Sequence, residues 1–434
     1  MTTDSQTIDI LLLGSGGREH ALAMKLAESP RCGTLYIAPG NGGTLEVGVN
    51  VALAEDDPEA VAAFAREEGI GLVVIGPEAP LVAGVADAVR AEGIPCFGPG
   101  AQGAQMEGSK LFSKQLMERA GIPTAAYGSF TNEEDALAYV REQGAPLVVK
   151  ADGLAAGKGV IVATELAQAE EAVRECFGGA FGEAGSTVVI EEMLTGPECS
   201  LLAFTDGKTV RPMATSQDHK RALESDLGPN TGGMGVYSPV PIVTPEEKTE
   251  MERIMEATVA ELAAEGIDYR GCLYGGFMLT PEGPKVLEFN ARFGDPETQV
   301  ILPRLENDLV EVMLACAEQR LDEVKLAWSD KWAVSVVLTS AGYPGSYEKG
   351  KVITGVEDAA ALEDVTVYHA GTAVNEAGEL VTAGGRVIDV TALGDTFEAA
   401  RDRAYEACEK IQFEGKTLRR DIGLRALKGR SAWE

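Results

Sequence analysis

A glycine-rich loop between two lysines is the clearest chemical feature of this sequence. Lys150 ends an apolar run, and the loop that follows contains Gly153, Gly157, Lys158 and Gly159. The loop does not match the Walker A motif, because Lys158 is followed by glycine rather than by serine or threonine. It lies between two apolar segments and therefore predicts a flexible hairpin that can donate backbone N–H groups to a triphosphate. We predict a nucleotide site at this hairpin, with Lys150 directed at the phosphates.

Carboxylates further along the chain would complete that nucleotide site. The strand-like segment 188–194 contains Glu191 and Glu192 and ends at Leu194. Backbone groups at the end of such a strand can pair with the edge of an adenine. Glu198 follows a Gly-Pro turn and is placed to accept hydrogen bonds from ribose hydroxyl groups.

An acid, an amide and a guanidinium share one face of a later strand. Side chains alternate along a strand, so Glu288, Asn290 and Arg292 point the same way. The intervening residues are apolar and form the reverse face: Leu287, Phe289 and Ala291. Carboxylate and amide oxygens suit Mg²⁺, and a guanidinium suits an anion. We predict a metal site at Glu288 and Asn290.

The first glycine-rich loop, 14–17, invites comparison with a dinucleotide fingerprint. Glu19 stands where the third glycine of that motif would pack, and the second strand ends without an acidic ribose partner. A nicotinamide-dependent oxidoreductase is therefore the lowest-ranked function. The free N–H groups of the following helix suit a single phosphate, with Arg18 beside it. His20, at the helix start, is either a cap or a phosphate contact.

These motifs lie in a chain whose pattern changes twice. Residues 1–107 alternate strands with helices, which predicts a doubly wound α/β domain with ligands at the carboxyl ends of its strands. Residues 108–328 begin with a helix at 110–119 and continue with β-rich segments. Residues 329–434 are strand-rich with one helix. The fold class is therefore a multidomain combination of α/β and α+β units.

The composition excludes several classes of protein. The 434 residues include 37 Lys+Arg and 68 Asp+Glu, a net charge of −31, which repels nucleic acid and anionic membranes. No apolar run approaches the roughly 18 residues of a membrane span. Seven cysteines without a CxxC pair argue against disulfides or a thiolate zinc site. We expect a cytoplasmic protein that binds small molecules but neither nucleic acid nor membranes, with a monomer as the simplest state.

Motifs along nearly the whole chain resemble one family. The order of Lys110, Lys150, Glu191, Glu198 and the Glu288-x-Asn pair resembles the ATP-grasp superfamily. The finer motifs resemble the phosphoribosylamine–glycine ligase family, also called glycinamide ribonucleotide synthetases. They are the segments 14–21, 38–41, 76–81, 150–160, 216–221, 228–235 and 292–297.

This resemblance implies an architecture and a reaction. The N-terminal domain would precede a central ATP-grasp domain of two α+β subdomains, with a nucleotide lid at about 125–198, and a small β-rich C-terminal domain would pack on the active site. ATP would phosphorylate glycine to glycyl phosphate. The amine of 5-phosphoribosylamine would then displace phosphate to give glycinamide ribonucleotide in purine biosynthesis. Mg²⁺ or Mn²⁺ would serve as the cofactor.

The resemblance also implies roles for individual residues. Lys110 joins the ATP site. Arg292 binds the carboxylate of glycine or the transferring phosphoryl group, and Asp295 completes the catalytic set. Asp218, His219 and Lys220 orient the amine. The remaining positions bind the ribose phosphate and its hydroxyls: Gly16, Gly17, Arg18, Glu19, Asn41, Pro77, Glu78, Asn230, Thr231 and Gly232.

Two alternatives to this function stay open. Another ATP-grasp ligase or carboxylase would use a different acid, such as bicarbonate or formate. A noncatalytic nucleotide-binding sensor would be expected to lose the set Lys110, Lys150, Glu288 and Asn290, which is intact. Many ATP-grasp enzymes also carry a metal-binding acid on the strand before Glu-x-Asn, whereas residues 273–278 contain none. The full metal ligand set is therefore open.

The site motifs also carry most of the cations expected near bound anions. If the acidic excess lies on outer faces, these residues form a positive cleft in a negative shell. They are Arg18, Lys110, Lys150, Lys158, Lys220, Arg221 and Arg292.

Overall fold

The computed structural model describes residues 7–154 and 159–429. Gly157 and Lys158 of the glycine-rich loop lie outside the described residues. Within the described ranges, no helix is long and apolar enough to cross a membrane. The seven cysteines are free thiols, and all except Cys32 are buried.

The N-terminal region is a five-stranded parallel sheet in the order β3-β2-β1-β4-β5. Its strands are β1 (Ile8–Gly14), β2 (Cys32–Pro39), β3 (Val49–Asn50), β4 (Leu72–Ile75) and β5 (Cys96–Phe97). Its helices are α1 (Gly17–Ala27), α2 (Pro58–Glu67), α3 (Glu78–Val82) and α4 (Val85–Ala91). Every residue of β4 is buried, as expected for a parallel strand covered on both faces. The predicted doubly wound α/β unit is confirmed.

The glycine-rich loop belongs to an antiparallel sheet in the order β6-β9-β7-β8, called the lid sheet below. Its strands are β6 (Tyr127–Phe130), β7 (Leu147–Ala151), β8 (Val160–Ala163) and β9 (Val188–Glu192). Helices α5 (Ala101–Gly108) and α6 (Lys110–Arg119) precede it, and α7 (Glu133–Gln143) and α8 (Leu166–Glu175) pack within the same region. Lys150 pairs with Val160, so β7 and β8 form the predicted hairpin.

The central region continues with strands, one long helix and two shorter helices. The strands are β10 (Glu198–Thr205), β11 (Val210–Pro212), β12 (Gln217–Asp218), β13 (Arg221–Leu223), β14 (Leu227–Asn230), β15 (Gly235–Ser238), β16 (Gly271–Thr280) and β17 (Gly283–Asn290). The helices are α9 (Pro245–Ala264), α10 (Thr298–Ile301) and α11 (Leu309–Ala317). Strands β11-β10-β16-β17 form an antiparallel sheet, called the central sheet below.

A bulge in β17 changes the predicted alternation of side chains. Phe277 pairs with Val286 and Gly276 pairs with Glu288, which leaves Leu287 as the extra residue. Leu287 is half-buried and lines both cavities beside Glu288, whereas Phe289 is buried and lines only the large cavity. The bulge therefore interrupts the predicted alternation at Leu287, because two residues of β17 lie opposite one residue of β16 there.

The C-terminal region supplies a five-stranded antiparallel sheet in the order β12-β15-β18-β22-β19. Its elements are β18 (Trp332–Thr339), α12 (Val356–Ala360), β19 (Val365–His369), β20 (Thr372–Val374), β21 (Leu380–Thr382), β22 (Arg386–Gly394) and α13 (Phe397–Lys410). Two strands of the sheet, β12 and β15, come from the central region. This pairing brings Asp218 on β12 and Arg386 on β22 to the wall of one cavity.

Candidate active site

Two cavities meet where the lid sheet faces the central sheet. The large cavity has a volume of about 490 Å³ and the small cavity about 390 Å³. They share a stretch of wall, called the junction here, made by Lys150, Val160, Glu191, Asp218, Lys220, Asn230, Leu287 and Glu288. The junction therefore joins the glycine-rich hairpin to strands β12 and β17.

The cavities bring together most residues that the sequence assigns to the site. Those on the large cavity are Arg18, Pro77, Glu78, Lys110, Lys150, Gly153, Gly159, Glu191, Asp218, Lys220, Asn230, Thr231, Gly232, Glu288, Asn290, Arg292 and Asp295. The small cavity adds Glu192, Leu194 and Glu198. Its wall also contains apolar side chains that form a slot between the two sheets: Ala125, Val148, Val162, Met193, Met278 and Leu287.

Asp152 anchors the glycine-rich hairpin to the N-terminus of α6. Its carboxylate accepts hydrogen bonds from the Ser109 hydroxyl and from the Leu111 N–H, each at 3.1 Å. Lys110 donates to the carbonyl of Gly153 at 2.9 Å. Gly153 has a φ of 122°, a conformation that favours glycine. The sequence did not single out Asp152, because nothing near it indicates a partner on α6.

A buried glutamate links the two lysines behind the hairpin. Glu191 Oε1 lies 2.9 Å from Lys150 Nζ and 3.3 Å from Lys114 Nζ. Lys114 also donates to Thr124 Oγ1 at 2.7 Å. Burial lowers the pKa of Lys114 to about 8, although Glu191 opposes this shift. The sequence missed Lys114, although its position four residues after Lys110 places both on one face of α6.

Lys220 lies between two carboxylates at the junction. Its Nζ is 3.3 Å from Glu198 Oε2 and 3.7 Å from Glu288 Oε1. Burial opposes the charge on Lys220, but the neighbouring carboxylates outweigh it and raise the pKa of Lys220. Burial likewise opposes the charge on Glu288, and the lysines around it lower the pKa of Glu288. Both groups are therefore charged at neutral pH.

Asp218 behaves differently from the other carboxylates of the junction. Burial raises the pKa of Asp218 to about 8, because Lys220 offsets only part of the desolvation and other carboxylates lie nearby. At neutral pH the group is largely protonated and can donate a hydrogen bond into the cavity.

Glu288 and Asn290 have the donor chemistry of a divalent-cation site. Both line the large cavity, and both supply oxygen ligands. Among the described residues, no cluster of three His, Cys, Asp or Glu side chains could hold a metal ion. Tyr274, which pairs with Asn290 on the neighbouring strand, brings no carboxylate. Two chain ligands leave coordination positions for phosphate oxygens and water, which suits an ion that binds together with a polyphosphate.

Arg292 is held between two glutamates of the N-terminal region. Its Nη2 donates to Glu107 Oε1 at 2.7 Å, and its Nε donates to Glu78 Oε2 at 3.3 Å. Glu107 also accepts the Ala291 N–H at 2.8 Å. Burial opposes the charge, but the two glutamates raise the pKa of Arg292. The sequence missed Glu107, because no motif surrounds it.

Arg386 closes the large cavity from the C-terminal sheet. Its Nη1 donates to the carbonyl of Gly232 at 2.8 Å and to that of Asp295 at 3.0 Å. Its Nη2 lies 3.3 Å from Asp295 Oδ2. Burial opposes ionisation of Asp295, but Arg386 and Arg18 outweigh it and lower the pKa of Asp295. Arg386 was also missed by the sequence reading.

Carboxylates surround the phosphate site expected at the start of α1. Glu19 Oε2 accepts the Gly16 N–H at 2.7 Å. A Cβ on Gly16 would lie 3.2 Å from Asp295 Oδ2, and a Cβ on Gly17 would lie 2.1 Å from Asp389 Oδ2. Three carboxylates, of Glu19, Asp295 and Asp389, therefore lie around the first residues of this helix. A phosphate site there stays a prediction. Of the loop residues 14–19, all described, Arg18 alone lines the large cavity.

Asn41 is also placed differently from the prediction. Its Nδ2 donates to the carbonyls of Ser15 and His369, at 2.9 and 2.8 Å, and its Oδ1 accepts the Gly43 N–H at 2.9 Å. The amide is buried and used within the chain, so it fixes the loop instead of facing a ligand. His20 Nδ1 accepts the His369 N–H at 2.7 Å, which makes His20 a packing residue and not a phosphate contact.

His219 is not available to orient a substrate. Its Nε2 accepts the Gly423 N–H at 3.0 Å, and its Nδ1 lies 3.3 Å from the carbonyl of Gly235. Burial lowers the pKa of His219 to about 4, and Arg419 adds to this shift. The neutral ring therefore ties β12 to the C-terminal region.

The large cavity is balanced in formal charge. Its cationic lining residues are Arg18, Lys110, Lys114, Lys150, Lys220, Arg292 and Arg386. Its acidic lining residues are Glu78, Glu107, Glu191, Asp218, Glu288, Asp295 and Glu297. The formal charges of the described residues thus balance before a metal ion or the protonation of Asp218 is counted, and the positive cleft stays a prediction. The balance still contrasts with the net charge of −31 for the whole chain.

The chain matches three family models in succession. Residues 8–107 match the N domain of phosphoribosylglycinamide synthetase, residues 108–298 match its ATP-grasp (A) domain, and residues 333–425 match its C domain. Biotin carboxylase folds resemble the chain at lower identity. The biotin carboxylase domain of Hydrogenobacter thermophilus 2-oxoglutarate carboxylase has a TM-score of 0.72 at 16% identity, over 95% of this chain and 92% of that one.

Closer relatives cover almost the whole chain. Phosphoribosylamine–glycine ligase of Pasteurella multocida is 56% identical over 97% of this chain and 98% of its own length. The crystal structure of phosphoribosylamine–glycine ligase from Thermotoga maritima has a TM-score of 0.80 at 35% identity, over 95% of this chain and 100% of that one. With this coverage and the three successive domain matches, the chain belongs to the phosphoribosylamine–glycine ligase family, within the ATP-grasp fold.

Proposed function

We propose that this chain ligates glycine to 5-phosphoribosylamine at the expense of ATP. The products are glycinamide ribonucleotide, ADP and phosphate, a step of purine biosynthesis. The observation that carries the proposal is the junction at which a nucleotide-sized slot opens into a second, charged cavity. A ligase of this type needs such a connection, because the terminal phosphoryl group must leave the nucleotide and meet the acid in a neighbouring site.

ATP binds in the small cavity with its phosphates at the junction. The apolar slot takes the adenine, whose edge faces the backbone at Glu192 and Leu194. Glu198, on the wall of this cavity, accepts hydrogen bonds from the ribose. Lys110 and Lys150 neutralise the phosphates, and the loop that includes Gly153, Gly157, Lys158 and Gly159 covers them. Glu191 supports Lys150 from behind, as its 2.9 Å ion pair indicates.

Glu288 and Asn290 hold the divalent cation, Mg²⁺ or Mn²⁺. When bound, the cation shields the negative charge of the phosphoryl group during its transfer. Lys220 lies beside Glu288 and supplies a further positive charge at the same point. Without such charge, the attack of one anion on another would be opposed by electrostatic repulsion.

Glycine and phosphoribosylamine share the large cavity. Arg292 orients the carboxylate of glycine, one oxygen of which bonds to the terminal phosphorus of ATP as the bond to ADP breaks. The amine then forms a bond to the carbonyl carbon of glycyl phosphate, phosphate leaves, and the amine loses a proton. Asp218 and Lys220 orient the amine, and Asp295 fixes the sugar end. Exclusion of water protects the acyl phosphate from hydrolysis.

The phosphorylated sugar occupies the end of the large cavity that faces the N-terminal and C-terminal regions. The lining residues there are Arg18, Pro77, Glu78, Asn230, Thr231, Gly232 and Arg386. Gly16, Gly17, Glu19 and Asn41 support this end from behind. We also propose domains at 1–107, 108–328 and 329–434, with the lid at about 125–198.

The test measures ADP release with each substrate omitted in turn. We expect ADP only when ATP, glycine and phosphoribosylamine are all present with Mg²⁺. ADP formation driven by bicarbonate or formate instead of glycine would replace this function with that of another ATP-grasp ligase or carboxylase. Glu288→Ala should abolish turnover, whereas Glu282→Ala should not, because Glu282 is exposed in the turn of the same strand pair. Equal turnover by the two variants would remove the metal assignment.

A further inference from the structure

A second buried carboxyl group lies behind Asp295. Asp389, on β22, is 1% exposed and does not line either cavity. Its Oδ2 accepts a hydrogen bond from Gln299 Nε2 at 2.9 Å, and the same Nε2 donates to Asp295 Oδ1 at 2.9 Å. One amide group thus connects a carboxylate on the cavity wall to one that is fully enclosed.

The enclosed end of this connection is incompletely satisfied. Asp389 Oδ1 and Gln299 Oε1 are buried without a hydrogen-bond partner among the described residues. The carboxyl group also packs closely against the first turn of α1, because a Cβ on Gly17 would lie 2.1 Å from Asp389 Oδ2. Such an arrangement costs free energy, because buried polar atoms are normally paired. A packing role alone would be met by an apolar or amide side chain without this cost.

The charges around Asp389 favour its neutral form. Asp295 is the acidic group beside it and Arg386 the cationic one, and the neutral Tyr368 on the neighbouring strand also interacts with it. Arg18 acts on Asp295. Burial, with the negative charge of Asp295, raises the pKa of Asp389 to about 7. The pair Asp295–Asp389 therefore carries one negative charge below neutral pH and approaches two above it.

We propose that Asp389 is a positioning residue for the sugar-phosphate end of the large cavity. Through Gln299 it holds Asp295 against Arg386, and its charge state sets how tightly a phosphorylated sugar binds beside Arg18 and Arg386. The identity of that ligand rests on the proposed function. The role of Asp389 requires only that the ligand carries a phosphate.

The effect has a definite sign. When Asp389 is neutral, Arg18 and Arg386 face the single negative charge of Asp295. When it ionises, a second negative charge appears behind Asp295 and opposes an incoming dianion. At a separation of about 10 Å and an effective dielectric constant of 20 to 40, the repulsion of a dianion corresponds to a loss of affinity of about fifteenfold or more. Because Asp389 can take up a proton when the ligand binds, its pKa of about 7 limits the loss at pH 8 to about seven- to tenfold. Binding should therefore weaken as the pH rises through neutrality, relative to a protein that lacks the charge.

The experiment measures the dissociation constant of ribose 5-phosphate by calorimetry at pH 6 and pH 8. Asp389→Asn and Asp389→Ser both keep an acceptor for Gln299 and remove the charge, so one can replace the other if folding fails. The control is Asp402→Asn, an exposed acid on α13. Comparison with wild type at each pH cancels the ionisation of the phosphate itself. We expect the ratio of wild-type to Asp389→Asn dissociation constants to be near one at pH 6 and about seven to ten at pH 8.

A ratio that is the same at both pH values would overturn the proposal, because a purely structural role changes affinity without changing its pH dependence. The same change with pH in the ratio of wild-type to Asp402→Asn dissociation constants would overturn the proposal as well, since this change would indicate a general effect of net charge. Failure of wild type to bind ribose 5-phosphate would also reject it. ADP formation that requires glycine and phosphoribosylamine would still uphold the proposed function in each of these cases.

Discussion

Replacing Glu107 with glutamine should cost about 3 kcal/mol of unfolding free energy and loosen Arg292 in the large cavity. The side chains of Glu107 and Arg292 are 8% and 18% exposed, and their closest atoms are 2.7 Å apart. Glu107 also accepts the Ala291 N–H at 2.8 Å. A glutamine can still accept one of these two hydrogen bonds, but its amide N–H then faces the other donor.

The magnitude follows from the partners that Arg292 retains. Breaking a buried ion pair by removing one partner costs about 3–5 kcal/mol, because the remaining charge is left uncompensated. Glu78 lies 3.3 Å from Arg292 Nε and still offsets part of the charge, which places the cost at the lower end. The pair of Arg66 and Glu92 is the control. Its atoms are 3.2 Å apart and its side chains are 55% and 35% exposed, so it should contribute less than about 1 kcal/mol.

Double-mutant cycles in urea unfolding measure both pairs on the same scale. One cycle combines Glu107→Gln with Arg292→Gln, and the other combines Glu92→Gln with Arg66→Gln. We expect a coupling energy of about 3 kcal/mol in the first cycle and under about 1 kcal/mol in the second. Glu107→Gln should also lower kcat/KM for glycine by at least about tenfold, the equivalent of 1.4 kcal/mol in transition-state binding. Equal coupling energies in the two cycles would refute the view that burial makes this ion pair strong.

Three further predictions concern Gly17 and Asn41, which lie behind the large cavity, and His219, which lines the small one. Gly17→Ala should lower the unfolding free energy by about 1–3 kcal/mol, because the new methyl group would lie 2.1 Å from Asp389 Oδ2 and 2.7 Å from Gln299 Nε2. Adding Asp389→Ala removes the closer contact and should restore part of the lost unfolding free energy in urea. Asn41→Ala should lower the unfolding free energy by about 2–4 kcal/mol through its lost hydrogen bonds. The affinity for ribose 5-phosphate, measured by calorimetry, should stay within about twofold. A loss of affinity at unchanged stability would instead show that Asn41 contacts the ligand. His219 has a folded pKa of about 4, below its value of about 6.5 when unfolded. The neutral ring of His219 therefore contributes its full stabilisation above pH 6.5. The difference in unfolding free energy between wild type and His219→Asn, measured in urea, should decrease by about 3 kcal/mol as the pH falls to 4.

The sequence predicts elements whose signals are local. Helix α6 has the bounds Lys110–Arg119 that its pattern indicates, and β7 and β8 flank the glycine-rich loop as expected. Capping residues, apolar runs and glycines act within a few positions, so they can be recognised without knowledge of the fold. Lys150 and Glu288 were identified for the same reason, since each lies in a short motif at the end of a strand or along it.

The sequence does not predict the partners that support those motifs. Glu107 lies 185 positions from Arg292, and Asp389 lies 90 positions from Gln299. Neither acid belongs to a recognisable motif, and only the packing of separate sheets brings it to its partner. The surroundings of the phosphate site expected at α1 are not predicted for the same reason. A helix N-terminus attracts any anion, and the local sequence does not reveal that Asp295 and Asp389 lie beside the first residues of α1.

The balanced charge of the large cavity explains how a strongly acidic chain can bind anions without a permanent excess of cations. The ion pairs fall into two groups. Glu107–Arg292 and Glu191–Lys150 are short, at 2.7 and 2.9 Å, and hold each cation in position. Glu288–Lys220 and Glu78–Arg292 are longer, at 3.7 and 3.3 Å, and involve half-exposed glutamates. A bound phosphate or carboxylate can replace these weaker partners while the short pairs remain, so the cations stay aimed at the ligand and little reorganisation is needed when it binds.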